Sequence, residues 1–433
     1  MFRKLLIKIF PYFYLSLSLG ILLYIYYKDQ ILYDGYNFSY YKNYYLFFSI
    51  NLLISIVNVI LEKIQIYFFI ALTSILLSIY IFEVYLNLLK IDSPDIDYKI
   101  KEYKKIYNKN YDTRSKIEVM NDLSKSNDNV SIAIFPSLFI NQSTEIYPLS
   151  GISNSKTVYD NENGYYFIYD SDRYGFNNPD YIWDEEQIEY LLIGDSFVHG
   201  ATVNKPSDIS SILRKKLSKN ILNISYGGNG PLLQLASLIE YIPNKVKNII
   251  WFYYEGNDNY DLDNELKNKK LSNYLNNEKF KQNLKNKKNE TDLFLKNYLK
   301  NFIKNEKKTE EKVLLNIIKL DQVRKILHKN ELPNSYLKIL KKVKKIAETK
   351  NSNLYFVYLP EYGRYKLNFY KDDNRKRVLN LVNSLNINYI DMHEEVFLNV
   401  EEPLELFPFK MFGHYNKKGY KNISNVLYKN LLN

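Results

Sequence analysis

Leu191-Leu192-Ile193-Gly194-Asp195-Ser196-Phe197-Val198-His199-Gly200 reads as an apolar strand that empties into Gly-Asp-Ser, followed by the start of a helix. Such a segment sets a serine hydroxyl at the carboxyl end of a strand, the edge where open α/β sheets hold ligands and reactive groups. Taken alone, the triplet is also an ordinary strand-to-helix turn, with Asp195 or Ser196 as the residue that caps the helix. What surrounds it has to separate the two readings.

Downstream the chain alternates. Apolar runs predict strands at Ile188–Ile193, Ile221–Ile224, Ile249–Tyr254, Leu354–Leu359 and Ile387–Ile390, with helical stretches between them and a last helix from about Asn416 to Leu432. Strands of this kind separated by helices predict a parallel sheet covered on both faces. Right-handed crossovers bring the carboxyl ends of the first three strands to one edge. Those ends carry Ser196, then Gly228 in Asn223-Ile-Ser-Tyr-Gly227-Gly228-Asn229-Gly230, then Asn257 in Glu255-Gly256-Asn257-Asp258. A fourth segment, Gly413-His414-Tyr415-Asn416, precedes the final helix.

The four ordered segments resemble the SGNH (GDSL-type) hydrolase and acyltransferase superfamily, whose name records its Ser, Gly, Asn and His. The resemblance covers about Glu186 to Asn433 and implies a flavodoxin-like three-layer α/β/α domain. It further implies a nucleophile at Ser196 and a base at His414. The oxyanion of the tetrahedral intermediate would be met by the Ser196 and Gly228 N–H groups and the Asn257 amide.

Only four histidines are present, His199, His328, His393 and His414, and only His414 stands in a Gly-His-Tyr-Asn-Lys-Lys-Gly setting like that family's last block. One departure is plain. The family's usual acid lies three residues before the histidine, and that position is Met411. A thioether cannot accept the imidazole N–H as a carboxylate does. Glu401, Glu402, Glu405 or Asp391 from nearby loops could supply the missing group, or a backbone carbonyl could serve a Ser-His dyad.

The first ninety residues are of another kind. Three uncharged apolar stretches, Ile9–Tyr27, Asn43–Leu61 and Ile64–Phe82, each approach the roughly 20 residues needed to cross a bilayer as helix. Glu62 and Lys63 are the only charges between the second and third, which predicts a tight helical hairpin. Arg3, Lys4 and Lys8 ahead of the first stretch favour a cytoplasmic amino terminus. Three crossings then place everything after Lys90 on the exported side. A basic start and an apolar core also suit a signal peptide, but no small-x-small cleavage site follows Tyr27, which favours an anchor.

The division expected is a transmembrane region over 1–90, a connector with a small β-rich preface over 91–185, and an SGNH-like domain over 186–433. Within the preface, Val130–Phe135 and Tyr165–Tyr169 are β-prone, broken by Asn-Glu-Asn-Gly and Ser-Asp-Arg-Tyr-Gly turns. A Lys/Asn/Glu-rich stretch over about 261–350 reads as a mostly solvated helical insertion, with periodic apolar residues at Val313, Leu314, Ile317, Ile318, Leu320 and Val323.

Composition excludes several classes. The formal charge of +11 comes from lysines interspersed with acids and asparagine rather than massed on one stretch, so nucleic acid is not an expected partner. There is no cysteine for thiol chemistry or disulfides. Gly-x-Ser-x-Gly fails at Val198, and phosphate-loop and His-Glu-x-x-His metal motifs are lacking, so no metal or cofactor is implied. Asp172, Arg173 and Gly175, and Arg364 after the fourth strand, could touch an anionic or sugar substrate, but turn formation and surface ion pairing are the preferred account of them.

The resemblance implies a serine esterase or O-acyltransferase, and the apolar stretches outside it add a membrane anchor, which sets the domain on the periplasmic or extracellular side. Its substrate would be an acylated saccharide or another ester, with acetyl the favoured acyl group. A membrane-tethered glycan-binding protein that has kept this fold without its chemistry is the alternative, and Met411 is the residue that favours it.

Overall fold

The computed structural model describes residues 2–32, 38–88, 96–305, 317–320, 323, 332–367 and 370–432. The chain divides into two units: residues 1–90 with 308–329, and residues 91–307 with 330–433.

The first unit contains helices α1 (Phe2–Tyr26), α2 (Phe38–Ile60) and α3 (Gln65–Leu88). Three segments here, Lys8–Ile31, Tyr41–Ile60 and Glu62–Asn87, are long and apolar enough to cross a membrane. Leu23, Leu46 and Leu77 are each 60% exposed or more. Outward leucines of this kind suit a hydrocarbon surrounding and not water. A single 3₁₀ turn, Glu62–Ile64, joins α2 to α3, and the Gln65 side chain donates to the Asn58 carbonyl across it. Tyr14 donates to Asn51 between α1 and α2, and Phe10 meets Phe69 edge-on between α1 and α3.

In the second unit, α4 (Ile96–Tyr107) and α5 (Lys116–Ser124) precede a small sheet of β1 (Val130–Ile132), β2 (Lys156–Val158) and β3 (Ile168–Asp170). β1 pairs parallel with β2, and β2 antiparallel with β3. The two expected β-prone runs contain β1 and the first two residues of β3. β2 was not expected, because three residues cannot display a period of two.

The main sheet follows: β4 (Ile188–Ile193), β5 (Ile221–Asn223), β6 (Val246–Tyr254), β7 (Asn353–Leu359) and β8 (Asn388–Asp391). Its order is β5-β4-β6-β7-β8, and every pairing is parallel. This is the flavodoxin-like doubly wound order, with its switch point beside the first strand.

Alternating residues face opposite layers. Leu191, Ile249, Trp251, Tyr253, Phe356 and Tyr358 pack in one core. Leu192, Ile250, Phe252, Tyr254, Val357 and Leu359 pack in the other. Helices α8 (Pro231–Tyr241), α12 (Asn334–Thr349) and α13 (Asp373–Ser384) cover the first face, while α7 (Ile209–Leu217) and α14 (Lys417–Leu432) cover the second. The result is a three-layer α/β/α domain. Ile132, Phe139 and Tyr147 from the preface join the first core.

The 261–350 stretch corrects one expectation. It is not mainly solvated, since Leu271 and Tyr274 of α10 (Lys269–Asn276) and Leu295 and Leu299 of α11 (Lys288–Asn305) are buried in the first core. α12 is the crossover that returns the chain to β7, so its apolar stripe is required by the sheet. Val313 and Leu314 lie outside the described residues. In the first unit, the Val323 N–H donates to the buried Glu83 carboxylate (2.8 Å), and the Tyr80 hydroxyl donates to the Ile318 carbonyl (3.2 Å).

Candidate active site

β4 ends at Ile193, and Gly194 and Asp195 lead into the short helix α6 (Ser196–His199). Asp195 Oδ1 accepts the Phe197 N–H at 2.9 Å. The helix cap is therefore Asp195, and the Ser196 hydroxyl is left free for another partner. Burial pushes the Asp195 carboxyl up to about 6.

That partner is His414. Its Nε2 lies 2.8 Å from Ser196 Oγ, and its Nδ1 lies 2.9 Å from Oε1 of Glu162. The other Glu162 oxygen accepts the backbone N–H of His414 at 2.7 Å. Because an ionised carboxylate only accepts, the proton sits on Nδ1 and Nε2 is free to accept from Ser196.

Burial works against charge on Glu162, but the neighbouring imidazole and its two hydrogen bonds hold the carboxyl below its ordinary value. For His414, burial lowers the pKa and Glu162 raises it, and Glu162 prevails. The geometry is that of a nucleophile, a base and an acid in line, able to transfer the hydroxyl proton during attack on an acyl carbonyl and return it to the leaving oxygen.

Glu162 was not among the expected carboxylates. It sits in the Asn161-Glu162-Asn163-Gly164 turn of the preface, which in sequence reads only as a turn. The nearer acids are engaged elsewhere: Glu405 pairs with Lys418 at 2.7 Å, Glu402 accepts the Leu404 N–H, and Asp391 is bound to Arg375. Glu401 is exposed. The only hint available in sequence was an isolated acid in a turn of a segment expected to pack beside the domain.

Gly228 follows β5 and Asn257 follows β6, so both stand at the same sheet edge as Ser196, on the strands flanking β4. Gly228 has φ +72°, and a Cβ there would lie 2.6 Å from Ser137 Oγ, so no larger residue fits this turn without strain. Among the described residues, the buried side-chain oxygen of Asn257 has no hydrogen-bond partner. Glu265, which sequence reading did not single out, steadies this edge. It accepts the Gly230 and Leu232 N–H groups at 2.7 and 2.8 Å and so fixes the turn leading into α8.

The remaining candidates have structural partners. His199 is buried against the rings of Tyr159, Tyr169 and Tyr226, and its Nδ1 meets the Ser225 carbonyl; burial lowers its pKa to about 4, so it is neutral. His393 Nδ1 is 2.8 Å from the Tyr365 hydroxyl. His328 lies outside the described residues. Asp172 is buried and accepts from Trp183, Asn178 and two backbone N–H groups, Arg173 pairs with Asp180 and Asp184, and Gly175 closes that turn against Gly151. Arg364 is held by Glu255 and Asp372. None of these four is brought to Ser196 by any hydrogen bond among the described residues.

No protein-family model matches the chain, and no curated protein matches it. Among solved structures, it is similar to a protein from Desulfitobacterium hafniense assigned to the G-D-S-L lipolytic family. The identity is 15%, over 56% of this chain and 99% of that one, with a TM-score of 0.33. It is likewise similar to protein YxiM from Bacillus subtilis, with 12% identity over 57% of this chain and 56% of that one and a TM-score of 0.33. The chemistry is therefore read from the side chains themselves.

Proposed function

We propose that the chain is an SGNH-type serine esterase or O-acyltransferase, tethered to a membrane by its amino-terminal helices and acting on an acylated saccharide of the cell envelope. The observation that carries this reading is the Ser196–His414–Glu162 relay, with both links below 3 Å.

In the proposed reaction Ser196 Oγ attacks the ester carbonyl while His414 Nε2 takes its proton, and Glu162 stabilises the imidazolium. The N–H groups of Ser196 and Gly228 and the Asn257 amide face the oxyanion. The tetrahedral intermediate collapses, His414 protonates the departing alkoxide, and an acyl-serine remains. Water, or a sugar hydroxyl activated by the same histidine, then attacks the acyl-serine and regenerates the hydroxyl. Basic residues in the first turns of α1 and three apolar helices support an exported second unit by the positive-inside bias. The alternative of a binding protein without chemistry drew its support from Met411, and Glu162 beside the imidazole favours the catalytic reading instead.

The test is pre-steady-state turnover of 4-nitrophenyl acetate by the detergent-solubilised full chain. The expected result is a burst of nitrophenolate proportional to enzyme, the sign of an accumulating acyl-enzyme, absent in Ser196→Ala. An equal rate from native protein and Ser196→Ala would overturn the reading.

A further inference from the structure

The turn that carries Glu162 is held from behind by the connector. The Tyr111 hydroxyl donates to the Asn161 carbonyl (3.2 Å), and the Asp112 N–H donates to the Gly164 carbonyl (3.0 Å). The Asn161 amide donates to the Asp112 carbonyl (2.7 Å), while its oxygen accepts the Gly164 N–H (2.9 Å). Gly164 has φ +87°, and a Cβ there would lie 2.3 Å from carbons of the Tyr103 ring, so Tyr103 of α4 lies directly on the turn. The same ring meets Phe409 edge-on, in the loop that leads to His414. Tyr103 and Tyr111 are each 7% exposed.

One helical turn before Tyr103, on the same face of α4, Lys99 is 8% exposed. Burial lowers its pKa, opposed by the charges of Glu162 and Asp160. The charges that act on Glu162 are His414 and Lys99 of the connector, and Asp160 of its own loop acts on both of these partners.

We propose that the connector is part of the catalytic apparatus, with Tyr103 and Tyr111 as positioning residues that hold the Asn161–Gly164 turn where Glu162 reaches His414. This rests on the esterase reading of the site. It makes the acid depend on the segment that follows the apolar amino-terminal helices in the chain, whereas the nucleophile follows β4 of the main sheet and the base stands in the loop before α14. Withdrawing the connector loosens the turn and with it the grip of Glu162 on His414, while Ser196 keeps its place at the end of β4.

A double-mutant cycle on the full chain tests this, with 4-nitrophenyl acetate as substrate. Tyr103→Ala is expected to lower kcat by about tenfold to a hundredfold with little change in KM, as a misplaced catalytic group does. Tyr103→Phe, which keeps the ring, is expected to restore the rate. In a Glu162→Gln background Tyr103→Ala is expected to cost nothing further, because a residue acting through Glu162 has nothing left to position.

Losses that multiply in the two backgrounds would overturn the proposal while leaving the esterase reading intact. A native chain without Ser196-dependent turnover would overturn both. Should Tyr103→Ala fail to fold, Tyr111→Phe in the same cycle decides. A severalfold loss confined to the native background supports the proposal, and no loss, or an equal loss in both backgrounds, overturns it.

Discussion

Glu162 and His414 lie 252 residues apart in the chain and are joined twice, once through the imidazole Nδ1 at 2.9 Å and once through the His414 backbone N–H at 2.7 Å. The second bond fixes the peptide as well as the ring. An acid that grips both restricts the histidine to one orientation and one tautomer.

Glu162→Gln keeps the shape of this contact and removes its charge, and the amide can present its NH₂ to the ring and favour the wrong tautomer. A loss of about 10²–10⁴ in kcat is expected, by analogy with acid-to-amide changes in serine proteases. Glu405→Gln and Glu402→Gln are expected to leave kcat within about twofold of native. Steady-state kinetics of the three variants side by side checks the assignment.

The pH profile follows from the same pair. His414 must be neutral to accept the serine proton, and Glu162 raises its pKa above the ordinary 6.5. The acidic limb of kcat/KM is therefore expected above 6.5, and it should move to lower pH in Glu162→Gln. Stability runs the other way. The pair contributes fully while Glu162 is ionised and His414 protonated. That contribution is lost as pH falls through the lowered Glu162 pKa and as pH rises through the raised His414 pKa. Paired pH titrations of rate and of melting temperature would show these opposite trends.

For the oxyanion, Asn257→Ala is expected to lower kcat by about 10²–10³ with KM little changed, the usual cost of removing one donor from such a hole. Gly228→Ala should be worse than its size suggests, since the methyl meets Ser137 Oγ and the backbone is left-handed there. A drop in KM-dependent binding without a change in kcat for Asn257→Ala would contradict its role.

Arg364 provides a contrast, a charged residue near the sheet edge whose work is structural. Its side chain is 7% exposed and Glu255 is fully buried, with Asp372 as a second partner at 2.6 Å. Arg364→Met strands a buried carboxylate and is expected to destabilise by about 3–5 kcal/mol. A fall in thermal midpoint at unchanged KM is the expected signature. A raised KM with unchanged stability would instead make it a substrate contact.

Much of this architecture can be read from the chain because its strands are buried on both faces. Ile188–Ile193 has to be almost wholly apolar for two helical layers to cover it, and that run is unmistakable. β2 and the buried half of the 261–350 region are not legible for the opposite reason. Lys156-Thr157-Val158 is too short to show a period, and Leu271, Leu295 and Leu299 are thinly spread among lysines and asparagines. Ser196 and His414 are picked out by local context, a strand end and a helix start. Glu162 has no such context. Its partner is fixed by how the preface packs against the loop before α14, and the spacing of residues along the chain does not encode that packing.

The central claim is that Ser196 is activated by His414 and Glu162. Fluorophosphonate labelling of the intact protein, followed by peptide mapping of the modified residue, tests it most directly. The account predicts phosphonylation of Ser196 alone, lost in Ser196→Ala and His414→Ala and slowed by about 10²-fold or more in Glu162→Gln. Native protein that remains unlabelled while folded, or labelling that is indifferent to His414, would contradict it.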